Sequence, residues 1–126
     1  MTPTHSMAHQ IGDAAIAFEE QRLGRRPKSV AVMLGGNTLV VTMHGVLSRG
    51  EMALAETSEG AAKLQEFHQE LFGVSSDPLR KEITRITGLD VSERAAAAVQ
   101  VFPTGTVVQV FLLQGHVLDA DQWNGT

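Results

Sequence analysis

The 126-residue chain contains no cysteine and no tyrosine, and aromatic residues make up only 5% of it. The absence of thiols excludes disulfides, thiolate metal sites and cysteine catalysis, and few rings are present on which nucleic-acid bases could stack. The chain also lacks an apolar run of the roughly 18–20 residues that cross a bilayer. Its N-terminus lacks the charged and apolar regions of a signal peptide. We therefore expect a cytoplasmic protein that reaches a membrane only through a partner.

Acidic residues outnumber basic ones by 14 to 10, which leaves a formal net charge of −4. This balance argues against a globally basic nucleic-acid-binding protein but permits a local basic surface. With 43% hydrophobic and 19% charged residues, the composition is that of a globular protein. The length predicts a single domain, which we place at residues 1–115, with a loosely held tail at residues 116–126.

The spacing of apolar residues and glycine turns predicts elements in the order α-β-β-α(α)-β-β. Two stretches rich in β-branched residues surround the turn Gly35-Gly36-Asn37, and a second pair flanks Pro103-Thr104-Gly105. We predict an α+β fold of two layers, a four-stranded, mostly antiparallel sheet with helices on one face. The predicted segments are a helix over residues 7–23, strands over 29–34 and 38–44, helices over 48–56, 60–72 and 77–87, and strands over 91–102 and 106–114.

Two local patterns define the middle helices. Ser48 and Glu51 have the spacing of a capping box, in which each side chain bonds to the backbone N–H of the other residue. In the next helix we expect Leu64, Phe67 and Leu71 to face inward and His68 to lie towards solvent.

The chain contains no recognisable nucleophile–base pair, phosphate-binding loop or cofactor motif. Gly35-Gly36 connects a strand to a strand, whereas a phosphate loop connects a strand to a helix. His5, His9 and Asp13 follow each other at four-residue steps, which makes them weak candidates for metal ligands. Because short matches of this kind arise by chance, we predict no metal site. The sequence favours a protein without catalytic residues.

A basic cluster follows the first helix. Arg22 is explained by the dipole of the helix that it ends, whereas Arg25, Arg26 and Lys28 lie in the loop beyond, which Pro27 holds extended. Such a cluster attracts phosphate, an acidic lipid surface or an acidic partner. These three residues are the candidate contact to a partner or an anion.

Both faces of the predicted strands carry apolar residues, as in Val101-Phe102 and from Val110 to Leu113. The sheet is therefore covered on both sides, or its second face binds another subunit. A symmetric homodimer is the simplest arrangement.

The run from Phe18 to Leu112 resembles the MpsC-like family of bacterial proteins, long known only as a domain of unknown function. The matching segments are Phe18-Glu19-Glu20, Gly24-Arg25-Arg26-Pro27-Lys28-Ser29-Val30, Gly45-Val46-Leu47-Ser48 with Glu51, Leu54-Ala55, Thr57, Glu59-Gly60, Thr87-Gly88 and Thr104-Gly105. The resemblance implies a small accessory protein of a membrane system that transports sodium or inorganic carbon. Two departures stand out: the family usually has glycine at Arg26, and polar residues including an aspartate at Ala95–Val99.

Three hypotheses follow. The first is a non-enzymatic accessory or regulatory protein, homodimeric, that meets an acidic partner such as a membrane transport subunit through Arg25, Arg26 and Lys28. The second is a nucleic-acid-binding module, which the acidic total and the scarcity of aromatic residues disfavour. The third is a small-molecule enzyme or sensor with a cleft between sheet and helices.

Overall fold

Helices and strands follow the predicted order in a computed structural model of the chain, which describes residues 3–92, 98–117 and 121–125. Residues 3–6 and 121–125 are described by their backbone alone. The predicted α+β fold, with helices over one face of an antiparallel sheet, is confirmed. The elements are α1 (Pro3–Leu23), β1 (Ser29–Gly35), β2 (Thr38–His44), α2 (Arg49–Leu54), α3 (Ser58–Ser75), α4 (Asp77–Thr87), β3 (Ala98–Val101), β4 (Val107–Leu112) and β5 (Asp121–Gly125).

The sheet has the strand order β3-β4-β2-β1-β5 within the described residues, and every neighbouring pair is antiparallel. The four predicted strands are all present. The strand β5 was not predicted; it belongs to the stretch expected to form a tail, and its backbone pairs with that of β1. The hairpin between β1 and β2 turns at Gly36, whose φ of 57° is costly for any residue with a Cβ.

Burial alternates along the strands, so the sheet has one core face and one open face. Helix α1 packs on β1 and β5, α4 packs on α1, and α3 packs beside β3. The residues that face these helices include Val30, Val32, Leu34, Leu39, Val41, Met43, Val107 and Phe111, all buried. The alternate residues are half-buried or exposed and form what we name the open sheet face: Ala31, Met33, Val40, Thr42, Val108, Val110 and Leu112.

A chain of aromatic rings crosses the core. The ring of Phe72 in α3 lies 6.4 Å from that of Phe18 in α1 and 5.6 Å from that of Phe111 in β4. Edge-on and tilted pairs at these distances are favourable arrangements of aromatic quadrupoles. The three rings thereby join two helices to the centre of the sheet.

The inward face of α3 differs from the prediction. Its buried residues are Gly60, Leu64, His68 and Phe72, at steps of four. Phe67 is instead 52% exposed, so the predictions for Phe67 and His68 were wrong. The observed stripe and the predicted stripe through positions 64, 67 and 71 both contain Leu64. Their centres lie roughly 50° apart around the helix axis, since each residue turns the helix by about 100°. The helix also continues through Gly73 to Ser75, where the sequence predicted an interruption.

The edge of β3 is closed by a side chain of α3. The Gln65 amide donates to the Val99 carbonyl at 2.6 Å and accepts from the Val101 N–H at 2.7 Å. These are the backbone groups that an added strand would use. A single glutamine thus anchors α3 and blocks strand addition at this edge.

Gly60 and Gly73, both in α3, offer a paired test of the packing between α2 and α3. A Cβ at Gly60 would clash with the Leu54 carbonyl oxygen, whereas one at Gly73 would meet nothing within 4 Å. We expect Gly60→Ala to lower the free energy of unfolding by about 1–3 kcal/mol, since the backbone must shift. Gly73→Ala should raise it by about 0.5–1 kcal/mol through helix propensity. Urea denaturation measures both, and equal effects would contradict the packing described.

Candidate functional site

The basic loop leaves α1 at Gly24, whose N–H donates to the Glu20 carbonyl at 2.8 Å. It joins the sheet where the Lys28 N–H donates to the His44 carbonyl, also at 2.8 Å. Between these two anchors lie Arg25, Arg26 and the buried Pro27. The loop therefore runs beside the connection from β2 to α2. Its three cationic side chains, those of Arg25, Arg26 and Lys28, lie in different surroundings.

The contacts of Arg25 lie within the protein and stabilise the fold. Its Nη2 donates to the Val46 carbonyl at 2.8 Å and to Glu51 Oε1 at 2.7 Å, and its Nε reaches the same carbonyl at 3.3 Å. Its side chain is 40% exposed, which leaves part of the guanidinium on the surface. Arg25 therefore ties the loop to the N-terminus of α2 and contributes positive charge beside it.

Glu51 accepts hydrogen bonds from several segments. The predicted capping box is confirmed: the Ser48 N–H donates to Glu51 Oε1 at 2.8 Å, and the Glu51 N–H donates to Ser48 Oγ at 3.2 Å. His68 Nε2 lies 3.0 Å from the other carboxylate oxygen, and the His68 side chain is 1% exposed. Because a carboxylate only accepts, the Nε2–H of His68 is the donor of this hydrogen bond. The carboxylate gives this buried histidine its partner.

The same contacts set the acidity of Glu51. Burial raises the pKa of its carboxyl, but the Ser48 backbone N–H, the His68 ring and the Ser48 hydroxyl together outweigh burial. The pKa therefore lies below its ordinary value of 4.5. The group stays ionised at neutral pH and serves as an acceptor.

Arg26 and Lys28 make fewer side-chain hydrogen bonds and ion pairs than Arg25 does. Arg26 lies 3.4 Å from Glu20, and both side chains are largely exposed, a geometry that contributes little to stability. The stem of Lys28 lies across Gly45, where a Cβ would come within 2.5 Å of the Lys28 Cγ. Lys28 makes no ion pair with any residue in the described ranges.

Lys28 lines a cleft of about 440 Å³, which we name the α2 cleft. One wall is α2, and the other is the turn between β3 and β4, which is held by a 3.0 Å hydrogen bond from the Val46 N–H to the Gly105 carbonyl. Arg49 lines the cleft as a second cation without an ion pair in the described part of the chain, and Glu56 is the one carboxylate along its described lining. The remaining lining residues are Gly45, Leu47, Met52, Ala53 and Thr104. The cleft therefore carries an excess of positive charge.

A buried polar cluster, which the sequence did not reveal, lies behind the loop. Glu19 is 1% exposed, and Arg22 Nη2 donates to its two carboxylate oxygens at 2.9 and 2.6 Å. Gln109, fully buried in β4, approaches the same carboxylate at 3.4 Å. The Arg22 guanidinium lies 4.9 Å from the centre of the Phe18 ring, a cation–π contact. Glu19 thus links α1 to β4 through Gln109, and Arg22 compensates the charge of the buried carboxylate.

Of the three metal candidates, the structure describes the side chains of His9 and Asp13. His9 and Asp13 share one face of α1 at 3.4 Å, and the side chain of His5 lies outside the described residues. Among the described side chains, no group of three or more potential ligands is placed to hold a metal ion. His44 is exposed and bonds to the Thr106 hydroxyl at 2.9 Å.

Comparison with known proteins identifies the family. The family model described as "Na+-translocating membrane potential-generating system (MpsC)" matches residues 4–114. The chain belongs to the MpsC family. It is similar to the Bacillus subtilis (strain 168) "Uncharacterized protein YbcI", with 26% identity over 104 residues that cover 77% of this chain and 84% of the relative. No solved structure matches the chain.

The two departures from the family pattern fall in different places. Arg26, the first departure, is an exposed residue of the basic loop, and its guanidinium lies 3.4 Å from Glu20. Most of Ala95–Val99 lies outside the described residues. Within the described ranges of this MpsC protein, no helix is long and apolar enough to cross a membrane.

Replacing Glu51 by glutamine tests the network that positions the basic loop. The glutamine side chain can still accept a hydrogen bond from the Ser48 N–H, but it lacks the negative charge that the side chains of Arg25 and His68 contact. We expect a loss of about 1–3 kcal/mol in the free energy of unfolding at pH 7. Because the folded-state pKa of Glu51 is lowered, its stabilisation is present above the ordinary value of 4.5 and disappears as the pH falls through the lower folded pKa.

The difference in the free energy of unfolding between wild type and Glu51→Gln, measured by urea denaturation, should therefore shrink from pH 5 to pH 3. A difference that stays constant over this range would contradict the assignment. The variant Glu66→Gln, on the exposed side of α3, is the matched control and should behave like wild type.

Proposed function

We propose that this MpsC protein is a non-enzymatic accessory or regulatory protein of a membrane system that transports a cation or inorganic carbon. It acts at the cytoplasmic side and is peripheral to the membrane through its partner. The observation that carries the proposal is the α2 cleft, where Lys28 and Arg49 flank a concave surface without ion pairs in the described part of the chain. The name of the matching family supplies the membrane system.

The partner contact combines loop and helix. Arg26 and Lys28 present their charges on the loop, Arg49 adds a third charge from α2, and Arg25 holds the loop against α2. Lys28 and Arg49, the two cations that line the α2 cleft, favour an acidic segment, because association then replaces solvent contacts by charge-assisted hydrogen bonds. The nearby Met52, 37% exposed, offers the apolar contact that a peptide would also use.

A second copy covers the open sheet face. This face is apolar across three neighbouring strands, from Met33 in β1 through Val40 in β2 to Val110 in β4, which face one another in register. Met33 is 50% exposed. Removing such a face from water favours association, and a two-fold dimer buries the same face of both copies.

Charge reversal at Lys28 tests the partner contact. We expect Lys28→Glu to lower the share of the protein that sediments with the membranes of its own cells by about tenfold, equivalent to ~1.4 kcal/mol of binding free energy. Lys63→Glu, which makes the same charge change on the exposed side of α3, should leave that share unchanged. Equal sedimentation of both variants with wild type would contradict the contact. A loss in both would indicate a dependence on net charge alone.

A charge on the open sheet face tests the dimer. Met33→Glu should weaken dimerisation by more than about tenfold, because an unpaired carboxylate would be buried in the interface. The matched control is Val74→Glu, which places the same group at a position 84% exposed in α3. Sedimentation equilibrium measures both dissociation constants. A monomeric wild type, or a dimer that is unaffected by Met33→Glu, would contradict this interface.

A further inference from the structure

A second cleft lies between α4 and the segment that follows it. Its volume is about 520 Å³, within the range of small-molecule sites. Asp77, Arg80, Lys81 and Thr84 form one wall at helical spacing, so they lie on one face of α4. We name it the α4 cleft; it shares no lining residue with the α2 cleft.

The facing wall is held by backbone hydrogen bonds. Gly88 ends α4 with φ of 76°, the left-handed conformation that reverses the chain. The returning segment then pairs with the end of β4: the Gln114 N–H donates to the Asp90 carbonyl at 2.8 Å, and Val91 bridges to Leu113. This pairing fixes Asp90 across the cleft from the charged face of α4.

The charges along this cleft are balanced and unpaired. Two cations, Arg80 and Lys81, and two carboxylates, Asp77 and Asp90, line it, yet none of the four side chains makes an ion pair or hydrogen bond in the described part of the chain. The Nε of Arg80 is buried and has no acceptor among the described residues. A buried donor without an acceptor costs free energy, so contacts within the described residues do not account for the position of the Arg80 side chain.

From this arrangement we infer that the α4 cleft binds a small zwitterion, a molecule that carries a carboxylate and an ammonium group, such as a free amino acid. Arg80 and Lys81 bind its carboxylate, and Asp90 with Asp77 binds its ammonium group. A simple anion in the cleft would be repelled by two carboxylates, and a simple cation would be repelled by a guanidinium. Each would therefore experience repulsion as well as attraction. A ligand that carries both charges can pair with the cations and with the carboxylates of the lining. The inference does not rest on the proposed function.

The test is a titration of the full-length protein with each of the twenty common L-amino acids, followed by heat and by ¹⁵N amide shifts. We expect at least one to bind and to move the amides of Thr84, Val91 and Gln114. Acetate and methylammonium, each carrying one of the two charges, should bind at least about tenfold more weakly. Absence of binding for all twenty at about 10 mM, roughly tenfold above a millimolar Kd, would overturn the inference.

Variants separate the two halves of the site. Arg80→Gln and Asp90→Asn should each weaken binding by about tenfold or more, since each removes one charge-assisted contact. Arg85→Gln is the matched control, because Arg85 lies on the same helix but pairs with Glu82 away from the cleft, and it should change binding less than about twofold. Should Asp90→Asn bind acetate more tightly than wild type binds any amino acid, the site would be one for anions and the inference would be wrong. Circular dichroism confirms that the variants are folded.

Discussion

The carboxylate of Glu51 is the contact on which the basic side of the molecule depends. It accepts hydrogen bonds from the Ser48 backbone, from Arg25 of the loop after α1 and from His68 of α3. Three segments far apart in sequence therefore share one anion, and this anion determines where the loop and α2 lie. The buried histidine is tolerated because its ring meets a carboxylate, which compensates for the loss of water. Without this contact, Arg25 and the cap of α2 would have no common anchor.

The second constraint is that the helices of the described residues all lie on one face of the sheet. Phe72 meets rings from α1 and β4 on that face, and Gln65 closes the edge at β3. The other face stays apolar and open, with Met33 as its most exposed member. The surfaces of the molecule consequently divide into an apolar face suited to a second copy and clefts lined by charges. This division supports a protein that acts through contacts, and it is the basis of the accessory role proposed for this member of the MpsC family.

Local signals were readable from the sequence, and contacts between distant segments were not. The capping box of Ser48 and Glu51 and the glycine turn at Gly36 each depend on a few consecutive residues, so composition and spacing were sufficient to predict them. The rotation of α3 was missed because His68 occupies an inward position that only a carboxylate from α2 makes acceptable. Gln109 could have been suspected, since it stands at an inward position of β4 between buried neighbours. The basic cluster was found, but its separation into one structural and two exposed cations needed the fold, as did the approach of Arg49.

The proposed function makes this chain an accessory protein bound to a membrane partner. Native mass spectrometry of the protein, released gently from the membranes of its own cells, is the decisive measurement. We expect a complex that contains two copies of the chain and an integral membrane subunit, and that loses the subunit but keeps the dimer at high salt. Recovery of the chain only from the soluble fraction, with no membrane subunit in any charge state, would refute the accessory role.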